Sequence, residues 1–307
     1  MALRIGIITV RDNRYHPNRR LLEAARTAGH LATLIHPYRL WPTTEAGRLG
    51  LTGRRLTNLP QVVLPRQGAQ IGDACLALIR QFQCNGIPLV NDADAVAIAR
   101  NKFLTQQVLT AAGLPCPDTI FVNQSEGLFH AVDRLNGFPV VVKPVSQRQG
   151  NGVLLIRNLD DAHKRALPVL DRRWGLLVQR YLPPDKRRDI RALVIDGLLF
   201  CAATLVPSGN DFRANFHLGA NLQATTLGEE MAQIAVGATA AVGCDVAGVD
   251  LMIDHQEQPH IVEVNYSPGF RGMEAATGLD IASRIIDLAI TRYHQFKEST
   301  DTGNETD

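Results

Sequence analysis

Two short apolar runs near the C-terminus constrain this chain most, because together they predict a β-hairpin. Val249 to Ile253 and His260 to Val264 are rich in β-branched residues, and a polar turn carrying Gln256 and Pro259 joins them. This pattern is typical of two antiparallel strands. Side chains of a strand alternate between its two faces, so the hairpin needs an apolar core beneath one face and leaves the other face polar.

The polar face of this hairpin collects three oxygen-bearing side chains. Glu263 and Asn265 are two residues apart and share a face, and Asp250 on the first strand can lie opposite them. Two carboxylates and an amide oxygen are hard ligands that suit magnesium or manganese, particularly when substrate phosphates complete the shell. The sequence leaves the register of the two strands open, so the alternative is a pair of solvated acids on a strand face.

Composition and charge limit the class of protein. The chain has 307 residues, 45% of them hydrophobic, which is enough for two or three domains with cores. A net charge of +2 predicts no direct nucleic-acid partner. With no membrane-length apolar run and no signal-peptide pattern, we expect a cytoplasmic protein without membrane contacts. The five scattered cysteines form no CxxC pair, which predicts buried thiols.

The first third of the chain alternates strands with helices. The predicted strands are Arg4 to Val10, His30 to Ile35, Gln61 to Leu64 and Ile87 to Asn91, and the predicted helices are Pro17 to Ala28 and Asp73 to Phe82. This order indicates a small parallel sheet with helices on both faces. Ligands of such sheets bind beyond the carboxyl ends of the strands. The loops Arg11 to Asn13 and Arg66 to Gly68 lie there, with ordinary surface loops as the alternative.

A lysine followed by a glycine-rich loop marks the middle of the chain. The stretch FPVVVKPVSQRQGNGVLLI predicts a strand ending near Lys143, a loop from Ser146 to Gly152 and a second strand. Backbone N–H groups of such loops bind phosphate. No Gly-Lys-Ser/Thr and no helix follow, which excludes a P-loop. We therefore expect a hairpin lid over a nucleotide, with an ordinary hairpin as the alternative. Lys102 lies at a junction within the predicted helices of Asp94 to Ala112, where a solvated charge is the usual interpretation.

Further candidate residues lie between this loop and the C-terminal hairpin. The charged run Lys186 to Arg191 enters a strand on which Asp189 and Arg191 share a face. Either they form a surface ion pair, or Asp189 holds a ribose or orients a substrate amine. An extended segment from Asn210 to Ala220 would point three alternating side chains the same way, those of Arg213, Asn215 and His217. Arginine and asparagine there would stabilise charge on a transferred phosphoryl group, with a polar loop as the alternative.

In chain order these residues resemble those of the ATP-grasp ligases, and more closely those of the RimK-type α-L-glutamate ligases. The residues that carry the resemblance are Lys143 with its glycine loop, Gln179 to Tyr181, Asp189, Arg213 to Asn215, Asp250, Glu263 and Asn265. The stretches RDNRYHPNRRLLEAARTAGH, PRQG, DFRANFH, AGVDLM and EVNYSPGFRGMEAATGLDIA extend it over nearly the whole chain.

The resemblance implies an ATP-grasp fold, of class α/β and α+β. An N-terminal Rossmann-like (pre-ATP-grasp) domain would cover residues 1–93. The ATP-grasp central subdomain, with its glycine-rich lid, would cover 94–183, and the C-terminal subdomain with the metal site 184–296. The polar and acidic tail over 297–307 is predicted to be disordered.

The resemblance also implies a carboxylate–amine ligase that works through an acylphosphate. The nucleotide would be bound by Lys102, Lys143, Gln179, Arg180, Tyr181, Asp189, Arg213, Ala214 and Asn215. Of these, Arg213 and Asn215 would act catalytically on the γ-phosphoryl group. Two magnesium or manganese ions would be bound by Asp250, Glu263 and Asn265. The amine donor would be an amino acid, with glutamate favoured, and the acceptor a peptide or small-molecule carboxylate. The family suggests a homotetramer.

Departures from the family pattern fall where the substrates would bind. The family has an arginine pair where this chain has Leu205 and Val206, and an arginine where it has Leu218. Fewer cations predict a less acidic acceptor or a different amine. Two other functions remain open at this point, a non-catalytic ATP-binding regulatory module and an ATP-grasp phosphotransferase.

Overall fold

A computed structural model describes residues 1–53, 58–67, 71–145, 152–206 and 221–303 of the protein. These residues form sheets of three, two, four and five strands, with helices packed against them. None of the helices in these ranges combines the length and apolarity needed to cross a membrane. Of the five free cysteines, Cys75, Cys201 and Cys244 are buried as predicted, whereas Cys116 is half-buried and Cys84 is exposed.

The N-terminal sheet is parallel, as the alternating pattern predicted. Its strands run in the order β2 (Leu31–Ile35), β1 (Arg4–Ile8) and β5 (Val62–Pro65), and its helices are α1 (His16–Thr27) and α2 (Asp73–Cys84). The predicted strand from Ile87 to Asn91 does not form. The segment is reduced to one bridge between Leu89 and Val63, in which Val63 N–H donates to the Pro88 carbonyl and Val90 N–H donates to the Val63 carbonyl.

A hairpin that the sequence did not predict follows β2. Its strands are β3 (Leu40–Glu45) and β4 (Arg48–Gly53), and its turn residues Ala46 and Gly47 have φ of 49° and 73°. Ala-Gly lacks the Asn-Gly or Asp-Gly signal of a two-residue turn. Pro42 within the first strand weakens the strand pattern further.

The central part of the chain is a four-stranded antiparallel sheet with helices before and beside it. The strand order is β6 (Thr119–Val122), β9 (Leu176–Arg180), β7 (Val140–Pro144) and β8 (Leu154–Ile156). The helices are α3 (Ala93–Ala99), α4 (Lys102–Ala111), α5 (Ser125–Arg134) and the short α6 (Leu159–Asp161), which further helical turns continue to Val169. Asn101 caps α4 by accepting from the N–H groups of Phe103 and Leu104, which fixes Lys102 at the start of the helix.

The C-terminal part is a five-stranded antiparallel sheet that contains the predicted hairpin. Its strand order is β12 (Asn221–Thr225), β11 (Leu198–Val206), β10 (Arg188–Ile195), β13 (Val246–Ile253) and β14 (Pro259–Asn265). The helices are α7 (Glu229–Val242), α8 (Arg271–Thr277) and α9 (Ile281–Gly303). The apolar face of the hairpin belongs to the same buried cluster as α7, and each fully buried Val or Leu contributes about 1.5–3 kcal/mol. Burial of that face fixes which side chains remain for the polar face.

The last helix is longer than the sequence predicted. We expected it to end at Phe296, with a disordered tail over 297–307, but α9 runs to Gly303. The segment from Lys297 to Asp301 has neither proline nor glycine, so nothing interrupts the helical hydrogen bonds before Gly303. Residues 304–307 lie outside the described part of the chain.

Candidate active site

The register of β13 and β14 brings the three candidate metal ligands onto one face. Asp250 lies opposite Glu263, and Gly248 lies opposite Asn265. The Asn265 Nδ2 atom donates to Asp250 Oδ2 at 3.4 Å. Just after Asp250 the register shifts, so that Leu251 pairs with Ile261. Such bulges re-aim side chains near active sites, and here the shift allows apolar residues of both strands to stay in the core.

Each of the two carboxylates is bound by a cation of the protein. Arg191, which faces Asp250 across β10 and β13, donates Nε to Oδ1 and Nη2 to Oδ2, both at 2.7 Å. Lys102 Nζ lies 3.2 Å from Glu263 Oε1. All four side chains are at most about a third exposed, so these charges compensate one another in a partly desolvated site. Lys102 is therefore not the solvated charge that a lone lysine usually is.

Lys143 faces the same cluster from β7. Its ammonium donates to Gln179 Oε1 at 2.6 Å, and Gln179 Nε2 donates in turn to Thr119 Oγ1 at 2.7 Å. Burial and, to a smaller extent, the nearby charge of Lys102 lower the pKa of Lys143 to about 8, against the raising effect of Glu263. The Lys102 N–H donates to the carbonyl of Val145, two residues after Lys143, at 3.1 Å, so β7 brings Lys143 close to the Lys102–Glu263 pair although the sequence separates the three widely.

The strand expected to hold adenine is β9. β9 lies between β6 and β7, and Gln179 is paired with residues of both neighbouring strands. The Arg180 N–H donates to the Asp118 carbonyl, and the Arg180 side chain pairs with the Asp118 carboxylate. The N–H and the side chain of Arg180 are thus both bound within the protein, and the strand ends at this residue.

Asp189 forms a buried ion pair, but not with the residue that strand alternation suggested. Arg187 Nη2 donates to Asp189 Oδ2 at 2.9 Å, with both side chains less than a tenth exposed. Burial raises the pKa of Asp189, against the lowering effect of Arg187. The prediction of a surface ion pair between Asp189 and Arg191 is thus wrong, because Arg191 binds Asp250 instead. The sequence signal missed was the position of Arg187, two residues before Asp189 on the same face.

Asp189 also has an unused oxygen. Its Oδ1 atom is buried and has no hydrogen-bond partner in the part of the chain that the structure describes. A buried carboxylate oxygen without a donor is costly, and a ligand hydroxyl or ammonium group is a chemistry that would satisfy it. The geometry is thus compatible with the ribose or amine contact expected for this residue.

The two N-terminal loops differ in their contacts. Arg66 is buried, donates to the Pro268 carbonyl and lies over the Phe270 ring at 5.8 Å, and burial lowers its pKa to about 10. It therefore ties the end of β5 to the loop after β14. The segment Arg11 to Asn13 is exposed.

Several predicted residues fall outside the described ranges. They are the loop residues 146–151, Gly68, Arg213, Ala214, Asn215, His217 and Leu218. Of the arginine-pair positions, Leu205 lies buried in β11 opposite Asp189.

The donor set fits a hard divalent cation. Across the described ranges no group of three or more His, Cys, Asp or Glu side chains comes together. A zinc centre built from such a group is thus not indicated there. Asp250, Glu263 and Asn265 offer two carboxylates and one amide, which leaves room for phosphate oxygens in the shell that magnesium or manganese prefers.

Comparison with known families divides the chain into two matched regions. Residues 3–96 match the model of the RimK PreATP-grasp domain, and residues 99–289 match that of the RimK-like ATP-grasp domain. A probable alpha-L-glutamate ligase of Rhodopirellula baltica is 34% identical over 276 residues, covering 89% of this chain and 68% of the relative. A protein with the same description from Thioalkalivibrio sulfidiphilus is 32% identical over 288 residues, covering 93% of this chain and 95% of the relative.

Solved structures share the fold at lower identity. An ATP-grasp protein with a RimK domain from Sphaerobacter thermophilus is 22% identical with a TM-score of 0.73, covering 94% of this chain and 99% of that one. The ATP-grasp ligase PsnB in complex with a minimal precursor is 20% identical with a TM-score of 0.72, covering 95% and 100%. The D-alanine–D-alanine ligase of Bacillus anthracis with ATP is 19% identical with a TM-score of 0.69, covering 97% and 100%.

Proposed function

The chain belongs to the family of RimK-like ATP-grasp ligases, and we propose that it joins an amino acid, glutamate in the first place, to the carboxylate of a peptide or small molecule. An ATP-dependent carboxylate–amine ligase is what the family membership establishes. The observation that carries the proposal is that Lys102 pairs with Glu263 on the face that bears Asp250 and Asn265, with Lys143 close enough to interact with both members of that pair.

The two lysines are the proposed phosphate ligands. The Lys143 ammonium donates a hydrogen bond to Gln179, so it is oriented before the nucleotide binds. Lys102 stands at the first turn of α4, where the helix dipole also favours an anion. Gln179 orients Lys143, and the backbone of Arg180 and Tyr181 at the end of β9 is the proposed contact to the adenine. Asp189 keeps its proposed role toward ribose or a substrate amine.

The oxygen face is the proposed site of two magnesium or manganese ions, held by Asp250, Glu263 and Asn265. When bound, such ions neutralise charge on the phosphates and orient the transferred group. The chain's own cations add to that effect, because phosphoryl transfer depends mainly on positioning and charge stabilisation. Arg213 and Asn215 remain the proposed residues acting on the γ-phosphoryl group, and Ala214 the neighbouring nucleotide contact.

The proposed reaction has two steps and needs no nucleophile from the protein. An oxygen of the acceptor carboxylate attacks the γ-phosphorus of ATP, which breaks the bond to ADP and gives an acylphosphate. The amine then attacks the acyl carbon, phosphate leaves, and the amine loses a proton as the amide forms. The partly desolvated, cation-rich site would stabilise charge in both steps.

Relatives support glutamate as the first amine to test, since two of them carry the description probable alpha-L-glutamate ligase. PsnB was solved with a minimal precursor, and another of its structures contains the precursor peptide PsnA2, which favours a peptide among the acceptors. Buried Leu205 at a family arginine position removes a cation from the acceptor side. We therefore propose an acceptor less acidic than the family pattern implies.

ADP release measured across a panel of amino acids and carboxylate acceptors tests the proposal, with mass spectrometry of the products. We expect ADP only when both substrates are present, a product heavier by one amino-acid residue or more, and hydroxamate formation when hydroxylamine replaces the amine. A phosphorylated product that is stable to hydroxylamine would instead indicate a phosphotransferase. No ADP with any pair would contradict the proposed substrates.

Glu263→Ala should abolish this ADP release, because it removes the central ligand of the oxygen face. Glu257→Ala is the matched control, since Glu257 is an exposed acid in the turn of the same hairpin and pairs with Arg188. Wild-type turnover in Glu263→Ala would remove the metal assignment. Loss of turnover in both variants would show that the assay reports damage to the hairpin rather than to the site.

A further inference from the structure

Protein cations occupy the oxygens that a divalent ion would need. Arg191 binds both oxygens of Asp250 at 2.7 Å, and Lys102 lies 3.2 Å from Glu263 Oε1. We propose that Arg191, supported by Lys102, is a placeholder cation, meaning a side chain that competes with metal for Asp250 and makes metal binding conditional on the nucleotide. The inference rests on the proposed function in taking Asp250, Glu263 and Asn265 as metal ligands.

The geometry of the Arg191–Asp250 pair makes it a strong competitor. The two residues face each other in the register of β10 and β13, so the strands and not flexible loops set their separation. The planar guanidinium binds both oxygens at once, which is the strongest arrangement available to this pair. The side chains of Arg191 and Asp250 are 14% and 24% exposed, so salt screens the pair less than it screens surface charges.

The charges of the cluster explain why the nucleotide matters. Three cations, Lys102, Lys143 and Arg191, surround the two carboxylates of Asp250 and Glu263. A divalent ion alone would add positive charge to a site that is already positive. A bound triphosphate makes the net charge of the site negative. Its phosphate oxygens also give Arg191 and Lys102 an alternative partner when these side chains release the carboxylates. Metal and nucleotide should therefore bind with positive coupling, and such coupling is reciprocal.

A second arginine on the same strand provides the matched control. Arg188 lies three residues before Arg191 on β10 and pairs with Glu257 in the turn of the same hairpin. Both side chains of that pair are at least half exposed. Removing Arg188 thus removes an arginine–carboxylate pair from the same strand and hairpin without touching the oxygen face.

Mn²⁺ binding to the metal-stripped, nucleotide-free protein tests the proposal, followed through the electron paramagnetic resonance signal of free Mn²⁺. We expect Arg191→Gln to bind Mn²⁺ about tenfold more tightly than wild type, since the competing charge is gone. Arg191→Lys should fall between the two, because lysine cannot bind both oxygens, and Arg188→Gln should match wild type. A non-hydrolysable ATP analogue should raise the Mn²⁺ affinity of wild type more than that of Arg191→Gln.

Thermal unfolding provides the second readout. Without metal, Arg191→Gln should unfold at a lower temperature than wild type, because Asp250 loses its arginine partner. Mn²⁺ should raise the Tm of this variant by more than it raises that of wild type. If Arg191→Gln does not fold, Arg191→Lys tests the inference in its place. We expect it to change the Mn²⁺ affinity and the Tm in the same directions, by smaller amounts.

Unchanged or weaker Mn²⁺ binding in Arg191→Gln would overturn the inference and make Arg191 a residue that only orients Asp250. An equal gain in Arg188→Gln would overturn it too, as a general charge effect. Wild type that binds no Mn²⁺ even with the ATP analogue would instead remove the metal site, and with it the proposed function.

Discussion

At the scale of single residues, the site depends on charges that are held before any ligand binds. Lys143 is the clearest case, because Gln179 fixes its ammonium while burial makes that ammonium easier to deprotonate. Gln179 is itself fixed by Thr119, so the lysine is anchored through a chain of two hydrogen bonds into β6. A cation held in this way costs little reorganisation when a phosphate arrives.

The lowered pKa of Lys143 predicts how nucleotide affinity depends on pH. With a pKa of about 8, Lys143 carries its charge at pH 7 and loses it progressively above pH 8. A phosphate prefers the charged form, so binding above pH 8 must take up a proton. The affinity for an ATP analogue should then fall, by at most about tenfold per pH unit. Calorimetric titrations between pH 7 and pH 9.5 measure this.

Lys143→Met is the control for that pH dependence. It should bind the analogue more weakly at pH 7 and should show a nearly flat profile between pH 8 and pH 9.5. Parallel slopes for wild type and Lys143→Met would assign the pH dependence to another group.

At the scale of elements, the site depends on the fit between the hairpin and the loop that follows it. Gly248 lies opposite Asn265, and a Cβ atom added at Gly248 would lie 2.9 Å from Pro268 Cβ. The proline ring cannot rotate away as a flexible side chain can. A methyl group at this position must therefore displace either the loop or the strand that carries Asn265.

Gly248→Ala should consequently lower the rate of ADP release by at least about tenfold, because displacements below 1 Å are enough to cost catalytic alignment. Gly127→Ala, in α5, is the control, since its new Cβ would meet Val122 at an ordinary 3.5 Å and alanine favours the helix. Both variants should keep the far-UV circular dichroism of wild type. Full activity in Gly248→Ala would show that the loop tolerates the shift.

The same elements show how far sequence alone reaches. The hairpin, its apolar face and the shared face of Glu263 and Asn265 follow from strand alternation, a local property. The pairing of Arg191 with Asp250 joins residues 59 positions apart, and it depends on which strand lies beside β13. No local pattern contains that information. The hairpin of β3 and β4 was missed for a different reason, since its turn lacks the usual residues.

At the scale of the whole molecule, one buried asparagine joins the N-terminal part of the chain to the C-terminal sheet. Asn91 is 1% exposed, and its Nδ2 donates to the carbonyls of Val246 and Tyr266, both at 2.8 Å. Its Oδ1 accepts from the N–H groups of Asp245 and Val246 at 2.6 and 2.8 Å. All hydrogen-bonding capacity of the side chain is thus used on β13 and on residues flanking the hairpin, which places the N-terminal segment against the strands that carry the site.

Asn91→Ala should therefore lower the stability of the whole chain and not only of its N-terminal part. It leaves two donors and two acceptors buried without partners, for a cost of about 3–5 kcal/mol. Asn18→Ala is the matched control, because Asn18 is equally buried but its Nδ2 donates to the carbonyls of Arg11 and Asp12, which belong to the same N-terminal part of the chain. Scanning calorimetry should show a larger fall in Tm for Asn91→Ala, and Mn²⁺ with an ATP analogue should restore less of it than in Asn18→Ala. Equal falls in Tm would mean that Asn91 contributes only local packing, and that the site keeps its geometry without the hydrogen bonds of this side chain.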